Sequence, residues 1–198
     1  MNDVENFGRR RAEDFSAAVP PDLARREDRL PAELRMSNLS KRAKIMRIYA
    51  VADQLSEIRE PHVACKKGCS HCCHMTVMLT STEALRLGEA IGRAPARLPP
   101  EARARRADAF AGIACPFLVD EACSIYKNRP LSCRTHASFD QTNSNCHPDV
   151  MNTVQVQLMR FSGLEAALME VSADRREVTI GDIRDFFPVA AKIGGRDA

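Results

Sequence analysis

No apolar run in this 198-residue sequence approaches the length of a membrane span. The longest, residues 109–119, is broken by Gly112 and Pro116, whereas a helix crossing a bilayer needs about 20 apolar residues. Arginines occupy positions 9, 10 and 11 with no apolar segment behind them, so the N-terminus does not read as a secretory signal. These absences predict a cytoplasmic protein with no membrane partner. An excess of one charge is also missing. The 29 basic residues face 26 acidic ones, for a formal net charge of +3, which argues against nucleic-acid binding through bulk charge. No alternation of apolar and polar residues lasts long enough to predict a sheet, and no period of 20–50 residues repeats. There is no glycine-rich nucleotide loop after a strand and no evident Ser-His-Asp or paired-carboxylate arrangement. No catalytic residue is assigned, and whether the protein is an enzyme stays open.

Against this plain background stand 8 cysteines and 5 histidines. A reducing compartment keeps thiols free, so metal or redox chemistry explains the cysteines better than disulfides. Four disulfides would be the account only if the protein were exported.

The surrounding pattern is helical. Residues 1–38, rich in charge and broken at Pro20, Pro21 and Pro31, read as short helical pieces or a loosely held charged arm. Ser40 can cap a helix running to about Ile58, with Ile45, Ile48, Ala52, Leu55 and Ile58 on one apolar face and Pro61 closing it. Thr80 and Glu83 form a capping box that opens a helix to about Ile91. A Pro-rich linker, 94–100, precedes an Arg-rich helix to about Phe110, and 115–147 reads as irregular. Helical spacing returns after Pro148 with Val150, Val154, Leu158, Phe161, Leu164 and Leu168. Thr179 to Asp182 then reads as a second cap, opening a short helix into Phe186 and Phe187. The predicted fold is mainly α: a small helical domain around an irregular cysteine-rich loop core organised by metal. It spans 39–187, with its motif core at 65–147, and is followed by a tail at 188–198.

The first cysteine group is Cys65-x3-Cys69-x2-Cys72-Cys73. Such short spacings bring several thiols within reach of one centre without long-range folding. Gly68 permits a positive φ that curls the chain around an ion, and Lys66 and Lys67 favour the ligating thiolate. The second group is Cys115-x7-Cys123-x9-Cys133-x12-Cys146. It can complete the first site or build a second one. Zinc sites commonly pair two Cys-x2-4-Cys knuckles, and only Cys69-x2-Cys72 has that spacing here. Iron–sulfur clusters more often take three close cysteines and a remote one. The spacing therefore favours an iron–sulfur cluster slightly over zinc or iron ions.

For Cys115, Cys123 or Cys146 taken singly, the alternative to ligation is a small buried hydrophobe. Cys73 competes with a bystander role, because adjacent residues rarely point the same way. Cys69-x2-Cys72 as a thioredoxin-like redox pair lacks its βαβ context. Cys65-x3-Cys69-x2-Cys72 also has radical-SAM spacing, but the chain behind it reads helical rather than as a partial β/α barrel. His71 and His74 are equally suited to ligation, to hydrogen bonding with a ligand, or to the surface. His136 and His147 are better candidates, each within three residues of a cysteine.

The run from Cys65 to Cys73, then Cys115-Pro-Phe-Leu, then Cys123-Ser-Ile-Tyr-Lys-Asn-Arg-Pro-Leu-Ser-Cys133-Arg134, resembles the YkgJ-type cysteine-cluster family, the CxxCxxCC zinc- or iron-chelating domain. The resemblance covers residues 65–147. It implies Cys65, Cys69, Cys72, Cys73, Cys115, Cys123 and Cys133 as metal ligands, with Cys146 where related sequences often carry another cysteine. Tyr126, Arg129, Pro130 and Arg134 also match motif positions. Arg129 and Arg134 either offset thiolate charge and donate to sulfur or pair with carboxylates, while Pro130 shapes the loop. Members are described as iron–sulfur oxidoreductases, and one branch is similar to flagellin lysine N-methylase. The resemblance thus implies a metal ion or cluster as partner, in redox or metal handling. A cluster-dependent enzyme and a zinc-stabilised partner-binding module are the alternatives, and no protein partner is indicated.

Overall fold

The computed structural model describes residues 3–66, 68–99, 110, 113–150, 153, 156–174 and 177–188. Its α-helices are α1 (Asp3–Ala18), α2 (Pro21–Met36), α3 (Lys41–Arg59), α4 (Ser81–Ile91), α5 (Leu131–Thr135), α6 (Ser162–Ser172) and α7 (Ile183–Phe186). Among the described residues four short strands accompany them: β1 (Met78–Thr80), β2 (Leu118–Val119), β3 (Ala122–Cys123) and β4 (Ile180–Asp182). The mainly α class holds. Among the described residues no helix is long and apolar enough to cross a membrane.

The charged segment before residue 38 forms two sixteen-residue helices, longer than its prolines suggest. Pro21 sits at the start of α2, where its missing N–H costs nothing, and Pro31 lies inside it. Phe15, Leu23, Leu30 and Leu34 are buried in the same apolar core as Ile45, Ile48, Tyr49, Leu55 and Leu164. The predicted stripe of α3 thus points into this core, and the Ser40 side chain accepts from the Ala43 N–H at 3.2 Å.

Helix α6 begins only at Ser162. Leu158 lies on non-helical chain, part of the segment read as helical after Pro148. The reason is local: Phe139 N–H donates to the Gln157 carbonyl at 3.0 Å, so the segment before α6 bonds the loop instead of itself. The start of α6 has no cap from Phe161. Instead Leu164 N–H donates to Glu27 Oε1 at 2.9 Å. Pro31 cannot bond the Glu27 carbonyl four residues back, and Gly163 packs against that carbonyl, where an added Cβ would lie 2.2 Å from its oxygen.

A second, smaller core gathers Val77, Leu79, Leu87, Phe117, Ile183 and Phe187. It is organised by an antiparallel pair that the sequence reading does not anticipate, β1 with β4, with Leu79 opposite Gly181. The predicted capping box of Thr80 with Glu83 forms. The second lies three residues beyond the one read at Thr179 to Asp182: Asp182 is itself the cap of α7, paired with Asp185, because Ile180–Asp182 are held in β4. Buried Glu83 reaches beyond its cap. Its Oε1 accepts from the Tyr49 hydroxyl at 2.7 Å and from Leu131 N–H at 2.8 Å, joining α3, α4 and α5. The Arg-rich helix expected up to Phe110 falls almost entirely outside the described residues, as does the tail beyond Pro188.

Gly163→Ala is expected to lower stability by about 3 kcal/mol, because its Cβ meets backbone that cannot give way. Thermal or urea unfolding of this variant checks the α2–α6 contact, and an unchanged midpoint would refute it.

Candidate metal centre

All eight cysteines are free. They come from three stretches of chain, with Cys65 packed against the larger core and Cys73, Cys115, Cys123 and Cys133 in or against the smaller one. In the first stretch Gly68 takes φ +93°, as expected, and an added Cβ there would meet nothing within 4 Å. The requirement is conformational. Cys69 N–H then donates to the Lys66 carbonyl at 2.9 Å, and a single 3₁₀ turn over His71–His74 carries Cys72 and Cys73.

The second stretch is a hairpin. Strands β2 and β3 pair antiparallel, Leu118 opposite Cys123, through a turn at Asp120 and Glu121, both with positive φ. This geometry explains the seven-residue gap, since the hairpin folds Cys123 back beside Cys115. Each of the two sulfurs accepts a backbone N–H two residues on, from Phe117 and Ile125 respectively. Cys115 N–H donates to the Cys73 carbonyl at 2.7 Å, tying the hairpin to the first stretch. The Ser70 hydroxyl adds a tie to Glu121 at 2.9 Å. The third stretch places Cys133 in α5 and Cys146 in a 3₁₀ turn over Ser144–Cys146.

Two neighbouring spaces receive these side chains. An enclosed cavity of about 130 Å³ is lined by Cys72, Cys73, Cys115, Cys123 and Cys133. A more open cleft of about 490 Å³ is lined by Cys65, Cys69, Cys72 and Cys133. Arg129 and His136 line both. Cys146 lines neither space; it is buried, and Cys65, Cys69 and Cys72 are the thiols that act on it. Among the described residues no group of three or more Cys, His, Asp or Glu side chains converges in a coordinating arrangement. The thiols surround the spaces rather than meeting at a point.

The donor set suits a thiophilic metal. Two further sulfurs accept hydrogen bonds of the kind that steady thiolates: the Ser138 backbone N–H reaches Cys65 Sγ at 3.4 Å and Asn143 Nδ2 reaches Cys69 Sγ at 3.3 Å. Burial pushes the Cys65, Cys115, Cys123 and Cys133 thiols up, and Cys146 up to about 12. Cys72 goes the other way, to about 7, because the Cys73 thiol donates to it, with Arg129 assisting against burial. The same bond pushes Cys73 up. Buried polar atoms without a partner cluster here as well: Arg129 Nε, His136 Nε2 and His71 Nδ1. Burial, followed by the charge of Arg59, lowers the His136 pKa. His71 packs edge-on to His147 with ring centroids 5.2 Å apart. His147 accepts from Asp149 N–H through Nδ1 at 3.3 Å.

The two arginines read as alternatives divide the roles. Arg134 is buried and fully committed: Nε donates to the Arg129 carbonyl at 2.8 Å, Nη2 to the Lys127 carbonyl at 2.7 Å, and Nη1 pairs with Asp53. It holds the loop between Cys123 and Cys133. Arg129 stacks on Tyr126, 3.7 Å from the ring centroid, and faces both thiol-lined spaces.

Two other arginines carry no recognisable signal in the sequence. Buried Arg59, its pKa lowered to about 10 by desolvation, donates to the carbonyls of Thr135 and Arg134. Arg184 pairs with Asp182 at 2.9 Å, both buried, and its guanidinium also donates to the carbonyls of Cys73, Met75 and Ile113. It clamps the first stretch to the chain entering the hairpin. Their spacing from the cysteines in sequence is large, and only the fold brings them in.

With this geometry in view, residues 64–149 match the CxxCxxCC family model, described as "Putative zinc- or iron-chelating domain". The match is confined to this part of the chain, which is similar to that family. No curated protein and no solved structure matches the chain.

Arg184→Met is expected to destabilise the protein by about 3–5 kcal/mol, since it leaves the Asp182 carboxylate buried and unpaired. Urea unfolding measures it, and a loss below about 1 kcal/mol would contradict the clamp.

Proposed function

We propose that this protein holds an iron–sulfur cluster through its cysteine thiolates and serves redox transfer or metal handling in the reducing cytoplasm. The domain's zinc- or iron-chelating description supports metal binding. The observation that carries the reading is the gathering of seven free thiols around two adjoining spaces, with the eighth, Cys146, buried close to Cys65 and Cys69. Cys65, Cys69, Cys72, Cys73, Cys115, Cys123, Cys133 and Cys146 are the proposed ligands. When bound, the metal supplies the positive charge that lets buried sulfur ionise, or the redox couple of a cluster. The chain supplies N–H donors to sulfur and the nearby cation Arg129. Zinc or iron ions held by the same thiolates are the alternative occupants.

A second reading, a cluster-dependent enzyme of the oxidoreductase or flagellin lysine N-methylase-like kind, is favoured by one observation. A largely apolar cavity of about 510 Å³ shares Ser132 and His136 with the enclosed cysteine cavity, so a substrate pocket would adjoin the centre. Micromolar binding of S-adenosylmethionine or of a redox partner would favour it.

Protein purified without oxygen is expected to be brown, to absorb broadly near 400 nm, and to contain iron and acid-labile sulfide. A colourless zinc protein would replace the cluster with zinc ions, and a metal-free folded protein would overturn metal binding. A Cys69→Ala, Cys72→Ala double variant is expected to lose metal, melt at lower temperature and exchange amide hydrogens faster over 60–147. Structural metal sites contribute on the order of 10 kcal/mol, comparable with the stability of a whole domain. Unchanged metal content and melting temperature would contradict these ligands.

A further inference from the structure

Sequence order divides the cysteines at residue 73, but their surroundings divide them differently. Cys65 packs against the larger core, whereas Cys73, Cys115, Cys123 and Cys133 all belong to or pack against the smaller one. Cys73 is bonded through its carbonyl to Cys115 N–H, and the hairpin returns Cys123 to Cys115. All four line the enclosed cavity. Cys146 comes from the far end of the sequence motif but neighbours Cys65 and Cys69. The Asn143 amide that begins its turn donates to Cys69 Sγ, and Cys146 N–H donates back to the Asn143 carbonyl at 3.0 Å. His71 against His147 repeats the same proximity. Cys72 and Cys133 line both spaces. Cys133 packs against the smaller core with Cys73, Cys115 and Cys123, which leaves Cys72 to join Cys65, Cys69 and the nearby buried Cys146.

We propose that the chain has two separate four-thiolate metal sites: one formed by Cys65, Cys69, Cys72 and Cys146, the other by Cys73, Cys115, Cys123 and Cys133. This rests on the metal-binding reading above and adds the number of sites and their membership. Four cysteines are a complete ligand set for tetrahedral zinc or for one cubane or rhombic iron–sulfur cluster. The adjacent Cys72-Cys73 pair, whose thiols are hydrogen bonded to each other, then stands where the two centres adjoin. Arg129, which faces both spaces with Nε unpartnered, stands where the negative charge of two tetrathiolate centres adds.

The test counts metal in the purified full chain, wild type and two double variants, and maps protected thiols by alkylation and mass spectrometry. Cys65→Ser, Cys69→Ser and Cys115→Ser, Cys123→Ser are each expected to keep half of the wild-type metal. The cysteines of the untouched set should remain protected. Loss of all metal in both variants would indicate one shared centre and overturn the two-site assignment. Titration of the metal-stripped wild type with Co²⁺ keeps the proposal falsifiable should either variant fail to fold. Two equivalents that protect all eight thiols support it, and one equivalent that protects four overturns it. A wild type that takes up no metal and no Co²⁺ would instead defeat the metal-binding reading itself.

Discussion

Sulfur held away from water is the constraint around which this molecule is arranged. A thiolate is the form that ligates, yet burial opposes the charge. Five of the eight thiols are pushed upward by that burial. Such a collection is ill suited to standing free: it packs as small apolar groups until a cation restores the balance. The exception, Cys72, shows what local chemistry can do, since a donated hydrogen bond and a nearby guanidinium outweigh its burial. The helices have the task of bringing three irregular stretches to that one place.

They do so mainly through buried charges that bind backbone carbonyls. Arg59, Arg134 and Arg184 together hold carbonyls at residues 73, 75, 113, 127, 129, 134 and 135. Loops cannot satisfy their own polar groups as helices do, and each guanidinium offers several donors in a fixed fork. Glu83 performs the complementary service by accepting from Tyr49, Leu131 and Thr80. The cysteine loops are therefore held from both cores before any metal is considered, which accounts for two defined spaces rather than a collapsed knot of thiols.

Local signals were legible in the sequence where the physics is local. The capping box of Thr80 with Glu83, the stripe of α3, the positive φ at Gly68 and the mainly α class follow from residues within one or two turns of each other. What depends on distant partners was not legible. The start of α6 waits on Glu27 of α2, and the β1–β4 pair joins residues a hundred positions apart. The N-terminal helices contribute Phe15 and Leu34 to the core although their composition is that of a solvated segment. The cysteines follow the same rule. Their number and motif spacing pointed to metal, but the neighbourhoods of Cys73 and Cys146 are set by the hairpin and by Asn143, which no spacing within the motif encodes.

X-ray absorption at the edge of the bound metal, on protein purified without oxygen, tests the central claim most directly. The account predicts a first shell of sulfur alone, four scatterers at about 2.3 Å. A shell dominated by nitrogen or oxygen would contradict it, because the cysteine thiols would then not be what holds the metal.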